Sequence, residues 1–111
     1  MINFSEVKLE IFAPAQAVEA ILSALHEAGA GRVGKYDHCV AISTVKGYWR
    51  PLDGADPFDG QVGAISEGTE SKLEINCKAE LVRAAIQAVR QVHPYEEPLI
   101  NVVPLVNDFY N

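Results

Sequence analysis

The chain has 111 residues, 49% of them hydrophobic and 22% charged, which suits one globular domain over residues 1–111 and excludes a disordered chain. Its net charge is −6 and its nine Lys and Arg residues are scattered from Lys8 to Arg90, so it lacks the clustered cations that nucleic-acid binding needs to displace phosphate counterions. No apolar run approaches the roughly 20 residues of a membrane-spanning helix, and Met1–Glu6 has no basic start followed by an apolar core, so neither a membrane nor a secretory route is expected.

Val7, Leu9 and Ile11 alternate with Glu6, Lys8 and Glu10, the period of a strand with one buried face. Pro14 suits the first turn of a following helix, where its missing N–H is no loss. Val18, Ile21, Leu22, Leu25 and Ala28 supply that helix with an apolar stripe, and Gly29 and Gly31 can end it. Tyr36, His38, Val40 and Ile42 alternate with Asp37, Cys39, Ala41 and Ser43, which predicts a second strand with two fairly apolar faces. Gly47–Gly68 reads as a long loop: it holds five of the eight glycines, Pro51, Pro57 and the only tryptophan. A connection of about 20 residues in so small a domain is unusual and often functional. Leu73, Ile75 and Cys77 alternate with Lys72, Glu74 and Asn76 as a third strand. Val82, Ala85, Ile86, Val89 and Val92 stripe a second helix, which Pro94 ends. Leu99 to Leu105, bounded by Pro98, is the last strand. With no export signal, Cys39 and Cys77 read as reduced thiols of a cytoplasmic protein.

The chain repeats itself. Lys8-Leu9-Glu10-Ile11 recurs as Lys72-Leu73-Glu74-Ile75, an offset of 64 residues (8 to 72), and the helical stripes recur at the same offset. The order is therefore βαβ–loop–βαβ. It predicts an α+β, ferredoxin-like sandwich, with an antiparallel sheet carrying two helices on one face. The other sheet face is expected to be apolar and to need cover from another subunit.

His93-Pro94-Tyr95-Glu96-Glu97-Pro98 is the densest chemical cluster. His93, Glu96 and Glu97 are the types that hold a divalent metal, but two prolines shape the backbone whatever the chemistry, and we expect a structural role. His38 is a further metal candidate. In a strand it points away from Cys39 and pairs poorly with Asp37, so a buried, hydrogen-bonded imidazole is expected. Asp53, Asp56 and Asp59 lack the alternating spacing of a calcium loop and read as turn formers. Tyr36, His38, Trp49, Arg50 and Tyr95 are the candidate small-ligand contacts: aromatics near one guanidinium and one imidazole. No convincing nucleophile–base pair, C-x-x-C or phosphate loop is present.

Three segments together resemble a known family: Gly34-Lys35-Tyr36-Asp37-His38-Cys39, Arg50-Pro51-Leu52-Asp53-Gly54-Ala55-Asp56-Pro57-Phe58-Asp59-Gly60, and His93-Pro94-Tyr95-Glu96-Glu97-Pro98. From about Val7 to Leu105 the chain is similar to the domain inserted into YqfO-type proteins of the NIF-three-like family, here as a stand-alone version. His93-Pro94-Tyr95-Glu96 also resembles the matching segment of CutA proteins, which share the PII-like fold. The resemblance implies a homotrimer with sheets inward. It carries over no dinuclear metal site, because that site lies in the flanking domain of the full-length proteins. The expected function is a non-enzymatic PII/CutA-like binding or regulatory module, taking a small ligand or divalent metal between subunits. Two other readings stand beside it: a metal-dependent hydrolase, as full-length members are described, and an assembly-only scaffold.

Overall fold

The computed structural model describes residues 3–111; Met1 and Ile2, which open the stretch read above for a signal, lie outside them. Among the described residues there are four strands and two α-helices in the order β1 (Glu6–Ala13), α1 (Val18–Glu27), β2 (Ala41–Trp49), β3 (Ser66–Lys78), α2 (Val82–Val92) and β4 (Ile100–Leu105). The sheet order is β2-β3-β1-β4, with every pairing antiparallel. This is the ferredoxin-like α+β architecture expected from the repeat. The repeat extends to detail, since a single 3-10 turn precedes each helix, Ala15–Ala17 and Ala79–Leu81, again 64 residues apart. Pro14 sits just before the first of these turns, at φ −67° and ψ 150°, rather than inside the helix.

Val7, Leu9, Ile11 and Ala13 of β1 lie opposite Cys77, Ile75, Leu73 and Ser71 of β3. That face packs on Ile21 and Leu25 of α1 and on Ala85 and Val89 of α2, and these residues form the core. The alternation of apolar residues in the central strands therefore marks the helix-covered face. The two copies end their helices differently. At the end of α1 the Ala30 amide donates to Leu25 and the Gly29 amide to His26, with Gly29 at φ +90°. This is a Schellman closure, which glycine enters without a Cβ penalty. Helix α2 stops at His93, held extended (ψ 129°) by the proline after it.

Two expectations fail. The second strand is not 36–43. Residues 31–40 run irregularly beside β3, where the Gly31 amide donates to Asn76 and the Cys39 amide to Gly31. Gly31 is at φ +82°, and a Cβ there would fall 3.0 Å from Ile75 and 3.1 Å from the Cys39 carbonyl. With Gly34 and His38 also at positive φ, this stretch cannot lie as a regular strand. Strand β2 instead runs into the predicted loop, where Tyr48 pairs with Glu67 and Gly47 with Gly68. The true connection is 50–65, and the flanking residues form a two-stranded arm that projects beyond the end of β1. The molecule is accordingly elongated, 47 × 31 × 23 Å.

The helix-free face is the second departure. Its centre is ionic rather than apolar: Lys8 Nζ lies 2.9 Å from Glu10 and 2.8 Å from Glu74, and Lys72 Nζ lies 3.9 Å from Glu10. The hydrogen bond from Lys8 to Glu74, then that to Glu10, raises the Lys8 pKa; the bond from Lys8 lowers both carboxylates. The repeated Lys-Leu-Glu-Ile places these charges on one face in both copies, because antiparallel pairing sets Lys8 opposite Asn76 and Glu10 opposite Glu74. Among the described residues no helix is long and apolar enough to cross a membrane.

Candidate functional site

Sequence-predicted site residues fall into two places. The first is the base of the arm, where the segment after α2 crosses to the β2–β3 hairpin. His93 is 93% buried there, as its 7% exposure shows. Its Nε2 donates to the Phe12 carbonyl at 2.7 Å, and its Nδ1 accepts the Tyr95 amide at 3.2 Å. Both ring nitrogens are thus used by one neutral tautomer. Burial lowers the His93 pKa, against a smaller opposing effect of the Phe12 bond.

Tyr95 continues the cluster. Its hydroxyl donates to Glu70 Oε2 at 3.0 Å, and its ring lies 5.7 Å from Phe58 in a tilted contact. Burial first, then the Glu70 carboxylate, raises the Tyr95 pKa, so the phenol keeps its proton. Glu96 accepts the Asp56 amide at 3.0 Å and ties the 50–65 loop down. Trp49 donates from Nε1 to the Asp59 carbonyl at 2.9 Å, and its ring edge lies 3.1 Å from where a Gly68 Cβ would be. Gly68 and Gly47 face each other across the arm. Their missing side chains leave a bare floor, over which the Trp49 indole and the Glu70 carboxylate lie. The Asp-Gly pairs act as turns, with Gly54 at φ +88° and Gly60 at φ +103°.

The second place is the irregular stretch at the far end of β3. There His38 is exposed, not buried, and sits at φ +57°. It does pair with Asp37: Nδ1 lies 2.8 Å from Asp37 Oδ1. Leaving the strand conformation is what allows neighbouring side chains to meet. The His38 bond is the main cause that holds the Asp37 carboxyl below its usual pKa. Tyr36 is exposed at the tip of the same stretch, where Val33 and Tyr36 bridge each other.

The expected sets are therefore divided. Trp49 and Tyr95 converge through Phe58, Asp59 and Glu70, and Arg50 follows Trp49 as an exposed residue. Tyr36 and His38 are elsewhere: Glu70 and Asn76 mark the two ends along β3, about 20 Å apart at the rise of a strand. His38 cannot join His93, Glu96 and Glu97 of the same chain in one metal site. Two contributors escaped the sequence. Glu70 fell between the expected loop, Gly47–Gly68, and the strand read from Lys72, and His26 of α1, whose ring stacks on His38 at 3.6 Å, occupies a helix position with no sequence signal.

No protein-family model matches the chain. It is 39% identical over 99 residues to the GTP cyclohydrolase 1 type 2 homolog of Mycobacterium leprae and 39% identical over 98 residues to that of Bacillus subtilis. These alignments cover 89% and 88% of this chain but 26% of each relative, so the chain spans about a quarter of the length of the curated relatives it matches. Among solved structures, the Bacillus cereus protein related to NIF3 superposes with a TM-score of 0.82 at 33% identity, over 96% of this chain and 27% of that one. CutA1 of Shewanella sp. SIB1 superposes at 0.71 with 22% identity, over 95% of this chain and 85% of that one, and so shares the fold. The resemblance read from the three sequence segments holds: the chain is a relative of one segment of the NIF-three-like proteins, with the fold of CutA.

Proposed function

We propose that this CutA-like relative of one NIF-three-like segment works by self-association, as a cytoplasmic homotrimer with no chemistry of its own, holding a small ligand or divalent metal between subunits. The observation that carries this reading is the arm. Among the described residues, β3 beyond the Ala13–Ser71 pair has β2 on one side and no strand on the other, while the outer edge of β2 is unpaired throughout. Unpaired strand edges are templates for another chain. The arm also exposes Tyr48 and, beside it, Ile65, which a neighbouring copy would cover. The apolar second face expected from sequence does not support assembly, but its ionic centre does not oppose it. Lys8, Lys72, Glu10 and Glu74 balance in charge among themselves, so covering them strands no single charge.

The arm base is the proposed inter-subunit pocket, with Trp49, Arg50 and Tyr95 as the ligand-facing groups. The cyclohydrolase name belongs to proteins of which this chain matches a quarter, and the His93 nitrogens are both engaged within the chain, which weighs against a hydrolase at this place. Light scattering at micromolar concentration tests the assembly. A mass of three times 12.1 kDa supports it, and a clean monomer removes the inter-subunit pocket. A thermal-shift screen then separates a ligand-binding module from a bare scaffold, since a ligand that binds only the native state raises Tm.

A further inference from the structure

We propose that His26, Asp37 and His38 form a binding site, within one chain, for a divalent transition metal of the zinc class. Among the described residues this is the one group of three metal-ligating side chains whose donor atoms all lie within 4.8 Å of one another. It lies at the end of the sheet away from the arm base, and it does not depend on assembly.

Three observations point to an ion, the last two of them linked. The first is His26 Nδ1, the single buried side-chain nitrogen or oxygen among the described residues that has no hydrogen-bond partner. A buried polar atom left unpaired costs about 1–3 kcal/mol, and native folds seldom leave one without a reason. The second is the bite of the neighbouring pair. His38 Nδ1 and Asp37 Oδ1 are hydrogen-bonded at 2.8 Å, so two donor atoms already converge and need open only to about 3.4 Å to share a tetrahedral ion. The ion takes the place of the proton between them. The third is backbone conformation. His38 is the only described non-glycine residue at positive φ, +57°, a conformation that costs of order 1 kcal/mol in a residue with a Cβ and is often retained at ligand sites. It is this conformation that lets Asp37 and His38 act on the same side instead of on opposite faces.

The chemistry selects the ion. Two imidazoles and one carboxylate, with remaining positions open to water, suit zinc, nickel or cobalt; calcium and magnesium prefer all-oxygen sites. Imidazole lone pairs lie in the ring plane, so the His26 and His38 rings, stacked at 3.6 Å and 26°, must leave the stack to aim their nitrogens at one ion. His38 is on an irregular, exposed stretch that permits this, whereas His26 is fixed on α1.

The test uses the full chain without a histidine tag, stripped with a chelator and titrated with zinc chloride at pH 7.5 by calorimetry. We expect one zinc ion per chain, a rise in Tm, and no heat with magnesium or calcium. His26→Gln, Asp37→Asn and His38→Gln should each weaken zinc binding at least ten-fold, and His93→Gln, which removes the remaining histidine, should leave it unchanged. Imidazole 15N spectra of the unmutated protein give a second measure that no folding defect can confuse: the His26 and His38 rings should shift with zinc and the His93 ring should not. Absence of zinc binding overturns the proposal. So does binding that survives His26→Gln and His38→Gln, or a zinc-dependent shift confined to His93.

Discussion

His93 donates to the Phe12 carbonyl and accepts the Tyr95 amide, so a second proton on its ring would meet an N–H instead of a lone pair. The folded-state pKa is lowered, chiefly by burial, while the unfolded chain titrates near 6.5. The unfolded state therefore binds more protons as pH falls below about 6.5, and the stability this group contributes is present above that pH and lost below it. We predict a Tm that declines between pH 7 and 5.5, and a flatter profile for His93→Gln, as measured by calorimetry. The carboxylates held low by Lys8 and His38, namely Glu10, Glu74 and Asp37, titrate in more acid solution and leave that window clear. His93→Ala strands the Phe12 carbonyl and should destabilise the domain by about 1–3 kcal/mol, read by denaturant unfolding. Glu96→Ala removes only an exposed bond to the Asp56 amide. It should change stability by no more than about 0.5 kcal/mol while speeding amide exchange in the 50–65 loop. If instead Glu96→Ala destabilises as strongly as His93→Ala, the loop is part of the cooperative fold.

At the scale of elements, the buried stripes of β1 and α1 carry the fold. Leu9 and Ile21 are fully buried, and Leu9→Ala or Ile21→Ala should cost about 2–5 kcal/mol by denaturant unfolding. The arm is a different matter. Its strands lack a helix and a third strand beyond Ala13, so hydrogen exchange should be slowest in Lys72–Cys77, faster in Val45–Trp49 and fastest in 50–65. Equal protection of arm and central strand in the dilute, dissociated protein would contradict this order. Gly60→Ala probes the turn that seats Trp49: at φ +103° a Cβ would fall 2.9 Å from Trp49 Nε1 and 2.8 Å from Ser66 Oγ. The change should shift tryptophan emission and loosen the loop without unfolding the core.

At the scale of the whole molecule, the arm gives the protein a long dimension, 47 Å against 23 Å, and leaves strand edges without partners. If copies assemble through those edges, substitution of an arm residue that faces no core should dissociate the oligomer and leave the monomer folded. Val45 pairs with Glu70 beyond the end of β1. Val45→Pro removes an amide from the β2 strand there, and light scattering with circular dichroism should show a lower mass with the helices intact. A trimer that withstands this change would place the interface elsewhere.

Much of the fold was legible because it rests on local period. The 64-residue repeat, the alternation in β1 and β3, the helical stripes and the Pro94 stop each depend on residues close in sequence, and each reappears in the structure. The ends of β2 were not legible. Tyr36 to Ser43 alternates as well as a strand does, but His38 at positive φ breaks it, and β2 is set by pairing with β3 through glycines that read as loop. The site was half legible for the same reason. His93, Trp49 and Tyr95 stood out by type, yet their partners Phe12, Asp59 and Glu70 are brought to them only by folding. His26 and His38 lie on an α-helix and an irregular stretch, and nothing in their spacing foretells a ring stack at 3.6 Å. Local periodicity encodes which residues face the core, because burial acts on each element separately; which polar groups meet is decided by register and by the direction of chain reversal, and those exist only once the sheet has formed.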